Sequence, residues 1–196
     1  MTLPISTERL VLRRFTDGDV RDLLACVADA SFANATPEIE ATEAGVRRYI
    51  AMQNGLQPFE RGRCFDLAVE RRADGTVIGL VSMVRDEHEQ AAIGYALGID
   101  YRGERYATEA ARGLIGFGFG SLGLRRIHAD THSDNTASWK VMERVGMTRE
   151  GGVREATRGA GTSAGVVTYG MLATQWRELV AARDADGAST AAGVCL

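Results

Sequence analysis

The chain has 196 residues, 45% of them hydrophobic, with a formal net charge of −3. That is the length of one domain with ordinary apolar content for a packed core. The mild acidity speaks against a general nucleic-acid binder, and no apolar run reaches the ~18 residues of a membrane span.

Glu8 to Phe15 reads as a first strand, and Asp17-Gly18-Asp19 caps a helix running to about Ala30. Asn34 to Pro37 is a loop. Thr42 to Asn54 is a second helix, with Val46, Tyr49 and Ile50 on one face. After a turn region from Gly55 to Gly62, Cys64–Val69 and Thr76–Met83 are strands joined by a hairpin at Asp74-Gly75. Cys64 is expected in the core. Asp86 to Gln90, with Glu87, His88 and Glu89, is a solvated turn, and Ala91–Ile99 is the fourth strand. A third helix spans Tyr106–Gly120 and ends near Gly123. A fifth strand follows at Arg126–Thr131, then a helix at Ala137–Val145, strands at Thr148–Arg154 and Gly165–Leu172, and a short helix from Thr174 to Ala182. The segment from Asp184 onward is rich in Ala, Gly, Asp and Ser and reads as a disordered tail, leaving residues 1–183 as the domain. This order predicts a single α/β domain: a mixed, mostly antiparallel sheet of about seven strands flanked by helices.

Cys26, Cys64 and Cys195 are an odd number without CxxC spacing, so neither a metal site nor a disulfide framework is expected. Met1-Thr2-Leu3-Pro4 does not begin a secretory leader, and a cytoplasmic setting fits. Asn34-Ala35-Thr36 matches a glycosylation acceptor, but Pro37 follows it and export is not indicated. Gly118-x-Gly120-x-x-Gly123 matches a dinucleotide fingerprint by letter only. It ends a helix and precedes a strand, the reverse of what a phosphate-binding turn requires. The glycines at 113, 116, 118 and 120 either weaken this helix or allow close packing.

The informative segment is Arg102-Gly103-Glu104-Arg105-Tyr106-Ala107-Thr108, a polar loop feeding a helix start. Free backbone N–H groups and a partial positive charge suit that place to an anion such as pyrophosphate. Further along, Asn135-x-x-Ser138 opens a helix that ends Glu143-Arg144-Val145-Gly146-Met147. His128, Asp130 and His132 alternate along a strand, so all three can share one face, either as a polar strand end or as a base.

Taken in order from Thr7-Glu8-Arg9-Leu10 to about Trp176, these features resemble the GNAT acetyltransferase superfamily, in particular its RimJ/RimL-like branch. The resemblance implies a sheet splayed between the fourth and fifth strands, with acetyl-CoA as acyl donor and no metal. Pantetheine would run along Leu97, Gly98 and Ile99, and the pyrophosphate would sit at Arg102, Gly103, Glu104, Arg105, Tyr106, Ala107 and Thr108. Asn135 would orient cofactor or substrate, and the Ser138 hydroxyl would serve the departing thiolate. Asp130 and Glu150 are the candidate bases beside the two histidines. Three positions depart from the family: Arg105 replaces a loop glycine, Ala92 stands where glutamate is common, and Gly165 falls near a frequent aspartate.

The implied activity is acyl transfer from acetyl-CoA to an amine, either of a small molecule or of a protein N-terminus. Two alternatives stay open: a fold relative that takes its acyl group from an aminoacyl-tRNA or a carrier protein, and a non-catalytic module that binds a CoA ester. Nucleic acid enters only through the tRNA alternative, no membrane partner is expected, and a homodimer is compatible with this branch.

Overall fold

The computed structural model describes residues 3–157 and 163–191. Alternation in the strands builds its two cores. In β3 (Cys64–Arg71), Phe65, Leu67 and Val69 point to one face of the sheet, while Asp66 and Ala68 point to the other. The first face packs on α4 (Tyr106–Gly120) and α5 (Thr136–Val145) through Leu114, Ile115 and Met142. The second packs on α1 (Val20–Val27) and α3 (Glu43–Gly55) through Leu23, Val46 and Ile50. The remaining elements are β1 (Ile5–Ser6), β2 (Leu10–Arg13), α2 (Ala30–Ala35), β4 (Val77–Arg85), β5 (Gln90–Leu97), β6 (Arg126–His132), β7 (Thr148–Thr157), β8 (Ser163–Leu172) and α6 (Ala173–Ala191).

The eight strands lie in the order β1-β2-β3-β4-β5-β6-β8-β7, and every pairing is antiparallel except β5 with β6. The expected mixed sheet is therefore present, with one more strand than anticipated. Two residues of β1 are too few to show any periodicity. The helix expected from Asp17 to Ala30 divides into a 3-10 turn, α1 and α2. Asp29 breaks it by accepting a hydrogen bond from the Phe32 N–H and capping a new helix, which takes in Asn34. The Asp74-Gly75 hairpin is present, with Gly75 at a φ of 73°. The last helix runs past Ala182 to Ala191, so the expected tail falls partly in α6 and partly on 192–196, outside the described residues, as is Cys195.

Of the α4 glycines, Gly113, Gly116 and Gly118 are packing positions, while Gly120 faces open space. A methyl group at Gly118 would lie 2.8 Å from Ile127 Cδ1, and one at Gly116 would lie 3.1 Å from the Trp176 ring of α6. The opening motif Thr7-Glu8-Arg9-Leu10 is tied to the same helix. Glu109 accepts from the Thr7 hydroxyl at 2.6 Å, and from the Arg9 backbone N–H and Nε at 2.7 Å each. These contacts hold the first turn of α4 against the β1–β2 edge.

β5 and β6 pair only over Gln90–Ala92 and Arg126–His128. Beyond that point they part, as expected for the fourth and fifth strands of the sequence reading. The β6 side of β5 is left unpaired from Ile93 onward, and the clefts open there.

Candidate active site

Two clefts meet at the parting of β5 and β6. The first has a volume of about 520 Å³ and is lined by the end of β5, the loop into α4 and the start of α5. The second, of about 790 Å³, lies toward β3, β4 and β6. Tyr95, Ala96, Asn135 and Ser138 line both.

Charge separates the two. Among the described residues, the first cleft is lined by Arg102, Arg105, Lys140 and Arg144 and by no carboxylate. The second is lined by Glu38, Asp66, Asp130 and Asp134 and by no lysine or arginine. An anion is drawn to one and a cation to the other, and low-dielectric walls strengthen both fields.

The loop at 102–105 has the backbone of an anion cradle. Gly103 and Arg105 both have positive φ, 87° and 62°, and Arg105 is the N-cap of α4 without a side-chain capping bond. The first intrahelical bond is Glu109 N–H to the Arg105 carbonyl, so the N–H groups of Tyr106, Ala107 and Thr108 have no partner within the helix. The Thr108 hydroxyl lines the same cleft, buried and without a hydrogen-bond partner among the described residues. Donors of this kind at a helix start fit a phosphate.

The sequence-predicted positions divide on this geometry. Leu97, Arg102, Gly103, Arg105, Tyr106, Ala107, Thr108, Asn135 and Ser138 line the first cleft. Gly98, Ile99 and Glu104 do not. Ile99 has left β5 for a 3-10 turn and is 58% exposed. Arg102 is engaged with protein: its Nε and one terminal nitrogen donate to the Leu97 carbonyl at 3.0 and 2.9 Å, and it also reaches Ser31 Oγ at 2.7 Å and Asp29 at 3.2 Å. It therefore pins α2 to the end of β5.

Asn135 caps α5, its Oδ1 accepting from the Ser138 N–H at 3.2 Å. The plain capping role is thus present beside the placement of both residues at the junction. Tyr95 was not singled out from the sequence, yet it reaches across the parting to donate to the Ser138 carbonyl at 3.0 Å. Burial pushes its phenol up to about 12. No local pattern marks Tyr95: the burial alternation of β5 breaks at Gly94-Tyr95, and only the end of its pairing with β6 at Ala92 places Tyr95 at the parting.

Among the base candidates, Asp130 and His132 line the second cleft, and Asp130 also accepts from the Thr168 hydroxyl. His128 and Glu150 line neither cleft. Glu150 is ion-paired with Arg126 in the space left by the missing side chain of Gly170. Burial and the adjacent Arg126 lower the His128 pKa.

Cys64, expected in the core, is exposed at the start of β3 and faces the second cleft, because the strand begins at the sheet rim. Beside it, Asp66 is 3% exposed. Burial raises its pKa above the usual carboxylate range, against the Tyr49 and Cys64 donors and with help from the Glu38 charge. The sequence signal here is one acid inside the apolar run Phe65–Val69.

Residues 9–148 match the family model described as acetyltransferase (GNAT) domain. The uncharacterized N-acetyltransferase p20 of Bacillus licheniformis is 31% identical over 175 residues, covering 87% of this chain and 96% of that protein. An acetyltransferase (GNAT family) from Bacillus anthracis superposes with a TM-score of 0.77 at 25% identity, over 88% of this chain and 99% of that one. RimL, a ribosomal-protein acetyltransferase solved in complex with coenzyme A, shares the fold with a TM-score of 0.69 at 22% identity, over 86% and 96% of the two chains. With a family match across most of its length and the splayed sheet that frames the two clefts, this chain belongs to the GNAT family of acetyltransferases.

Proposed function

We propose that the protein transfers the acetyl group of acetyl-CoA to a cationic amine by direct attack, with donor and acceptor held together in the two clefts. The observation that carries this reading is the pair of oppositely charged clefts joined at Tyr95, Ala96, Asn135 and Ser138. Holding both reactants there replaces a bimolecular encounter.

Acetyl-CoA supplies an activated acyl group: the C–N bond forms as the C–S bond breaks, and a thiolate leaves. The chain supplies the rest. The free N–H groups of Tyr106, Ala107 and Thr108, with Arg105 and the Thr108 hydroxyl, hold the phosphates. The unpaired edge of β5 bonds the extended pantetheine arm and stabilises charge on the carbonyl oxygen. Asp130 or His132, on the acceptor side of β6, takes the ammonium proton so that the nitrogen can attack. The Ser138 hydroxyl, with Tyr95 beside it, donates a hydrogen bond to the departing thiolate, which takes up the proton released by the newly bonded nitrogen. RimL, a ribosomal-protein acetyltransferase, shares the fold, which favours a peptide amine as one acceptor class.

Calorimetric titration with acetyl-CoA tests the donor, and Ser138→Ala tests the chemistry. The variant is expected to bind acetyl-CoA as the natural protein does while kcat falls roughly a hundredfold. Failure of the natural protein to bind acetyl-CoA overturns the reading. An unchanged kcat removes Ser138 from the transfer step.

A further inference from the structure

Among the described residues the fold buries two carboxylates and treats them differently. Asp19, 5% exposed, receives a two-pronged bond from Arg13 at 2.7 and 2.8 Å. Asp66, 3% exposed, receives only neutral donors: the Tyr49 hydroxyl and Gln53 Nε2 (3.1 Å) on one oxygen, and Cys64 Sγ (3.3 Å) on the other. A carboxylate has about four acceptor positions, so one remains. A buried charge without a counter-ion is costly, and among the described residues the cleft in front of Asp66 is lined by no lysine or arginine.

The sheet register gives the backbone separation of Asp66 from β5. Asp66 lies opposite Ser82, and Ser82 lies opposite Gly94 of β5, so the three form one row across the sheet. Two strand spacings make that row ~10 Å long. Its floor is low: Gly94 has no side chain, and Ser82 Oγ occupies the place where one would stand. An extended, unbranched chain can therefore lie from the β5 junction to Asp66.

We propose that Asp66 binds a second cationic group of the acceptor, placing it about two strand spacings from the amine that is acetylated. The preferred acceptor is then a diamine, or a chain bearing a basic group at that separation. This rests on the donor and acceptor assignment made under Proposed function. Asp66 touches the acceptor and sets specificity, while proton removal stays with the β6 residues.

The test compares 1,7-diaminoheptane with heptylamine, which matches it in length but carries one amine, as acceptors with saturating acetyl-CoA. The natural protein is expected to favour the diamine by about tenfold in kcat/KM, the worth of one charge-assisted contact. Asp66→Asn keeps the shape and the Tyr49 and Gln53 donors. It is expected to abolish that preference by raising the KM of the diamine toward that of heptylamine. Equal kcat/KM for both amines in the natural protein overturns the proposal while leaving acetyl transfer intact, as does an Asp66→Asn variant that slows both amines alike. Acetylation of neither amine by protein shown calorimetrically to bind acetyl-CoA also overturns it. Absence of acetyl-CoA binding instead brings down the underlying assignment.

Discussion

Replacing Arg105 by glycine is expected to move stability and donor binding in opposite directions. Arg105 sits at φ 62°, ψ 13°, in the left-handed region, directly before the first turn of α4. A residue with a Cβ pays ~1–2 kcal/mol there, whereas glycine costs ~0.5–1 kcal/mol through the freedom it gives the unfolded chain. The difference favours Arg105→Gly by roughly 0.5–1 kcal/mol, which in a chain of this size raises Tm by about 2 °C. The guanidinium lines the cationic cleft beside the free N–H groups of the helix start, and its loss removes a charge-assisted contact with phosphate. Because the side chain is exposed, solvent and salt discount that contact, and acetyl-CoA affinity is expected to fall only about five- to tenfold at low salt. Urea unfolding without ligand and calorimetric titration at low and high salt measure the two effects separately. A less stable glycine variant would refute the backbone argument. Equal or tighter acetyl-CoA binding at low salt would refute the role of the guanidinium.

Other perturbations probe separate parts of the fold. Gly118→Ala places a methyl group 2.8 Å from Ile127 Cδ1 and 3.2 Å from Leu124 and Met83, and should cost about 1–3 kcal/mol of overpacking despite better helix propensity. Gly120→Ala, two residues on, meets nothing within 4 Å and should instead stabilise by about 0.5–1 kcal/mol, both read from urea midpoints. Burial opposes ionisation of Glu109, but donation from Thr7 and Arg9 prevails and its pKa is lowered. Its stabilisation is therefore full above the unfolded value of ~4.3 and is lost as pH falls through the lower folded value. Glu109→Gln should be less stable at neutral pH and lose less on acidification, so equal acid sensitivity of the two proteins would contradict this. Tyr95→Phe should lower kcat without shifting the pH–rate profile, because a phenol held up at about 12 stays protonated over the working range. An alkaline limb that vanishes in the variant would argue otherwise.

The parts of the fold that could be read in advance are those whose residues repeat. Runs of apolar and β-branched residues marked β3, β4 and β5, and Asp74-Gly75 marked the β3–β4 hairpin. Where the deciding contact is a single capping bond, the reading failed. One hydrogen bond from the Phe32 N–H to Asp29 starts α2 at Ala30 and carries it into Asn34 and Ala35, where the loop was expected to begin, and Arg102 then reaches back to Asp29 and Ser31. Proximity between residues some seventy positions apart leaves no local pattern. The α4 glycines illustrate the same limit, since the sequence left open whether they weaken the helix or serve packing. Only the position of Ile127 beneath Gly118 and Trp176 beside Gly116 decides for packing.

The two clefts differ in the same way. An anion site built from a helix start uses consecutive backbone N–H groups, so it is contiguous in sequence, and residues 102–108 announce it. Backbone carbonyls can receive a cation only where secondary structure has not already used them, so a cation site in a sheet protein is built from side-chain carboxylates. Glu38, Asp66, Asp130 and Asp134 reach the acceptor cleft from a loop, from β3, and from β6 and the turn after it. Each is an isolated acid in its own segment, and only the register Asp66–Ser82–Gly94 and the parting of β5 from β6 bring them to one cavity. The donor side of such a fold is therefore set by a short motif. The proposed acceptor side is set by the strand order, and there Asp66→Asn is expected to change what is accepted without touching the donor loop.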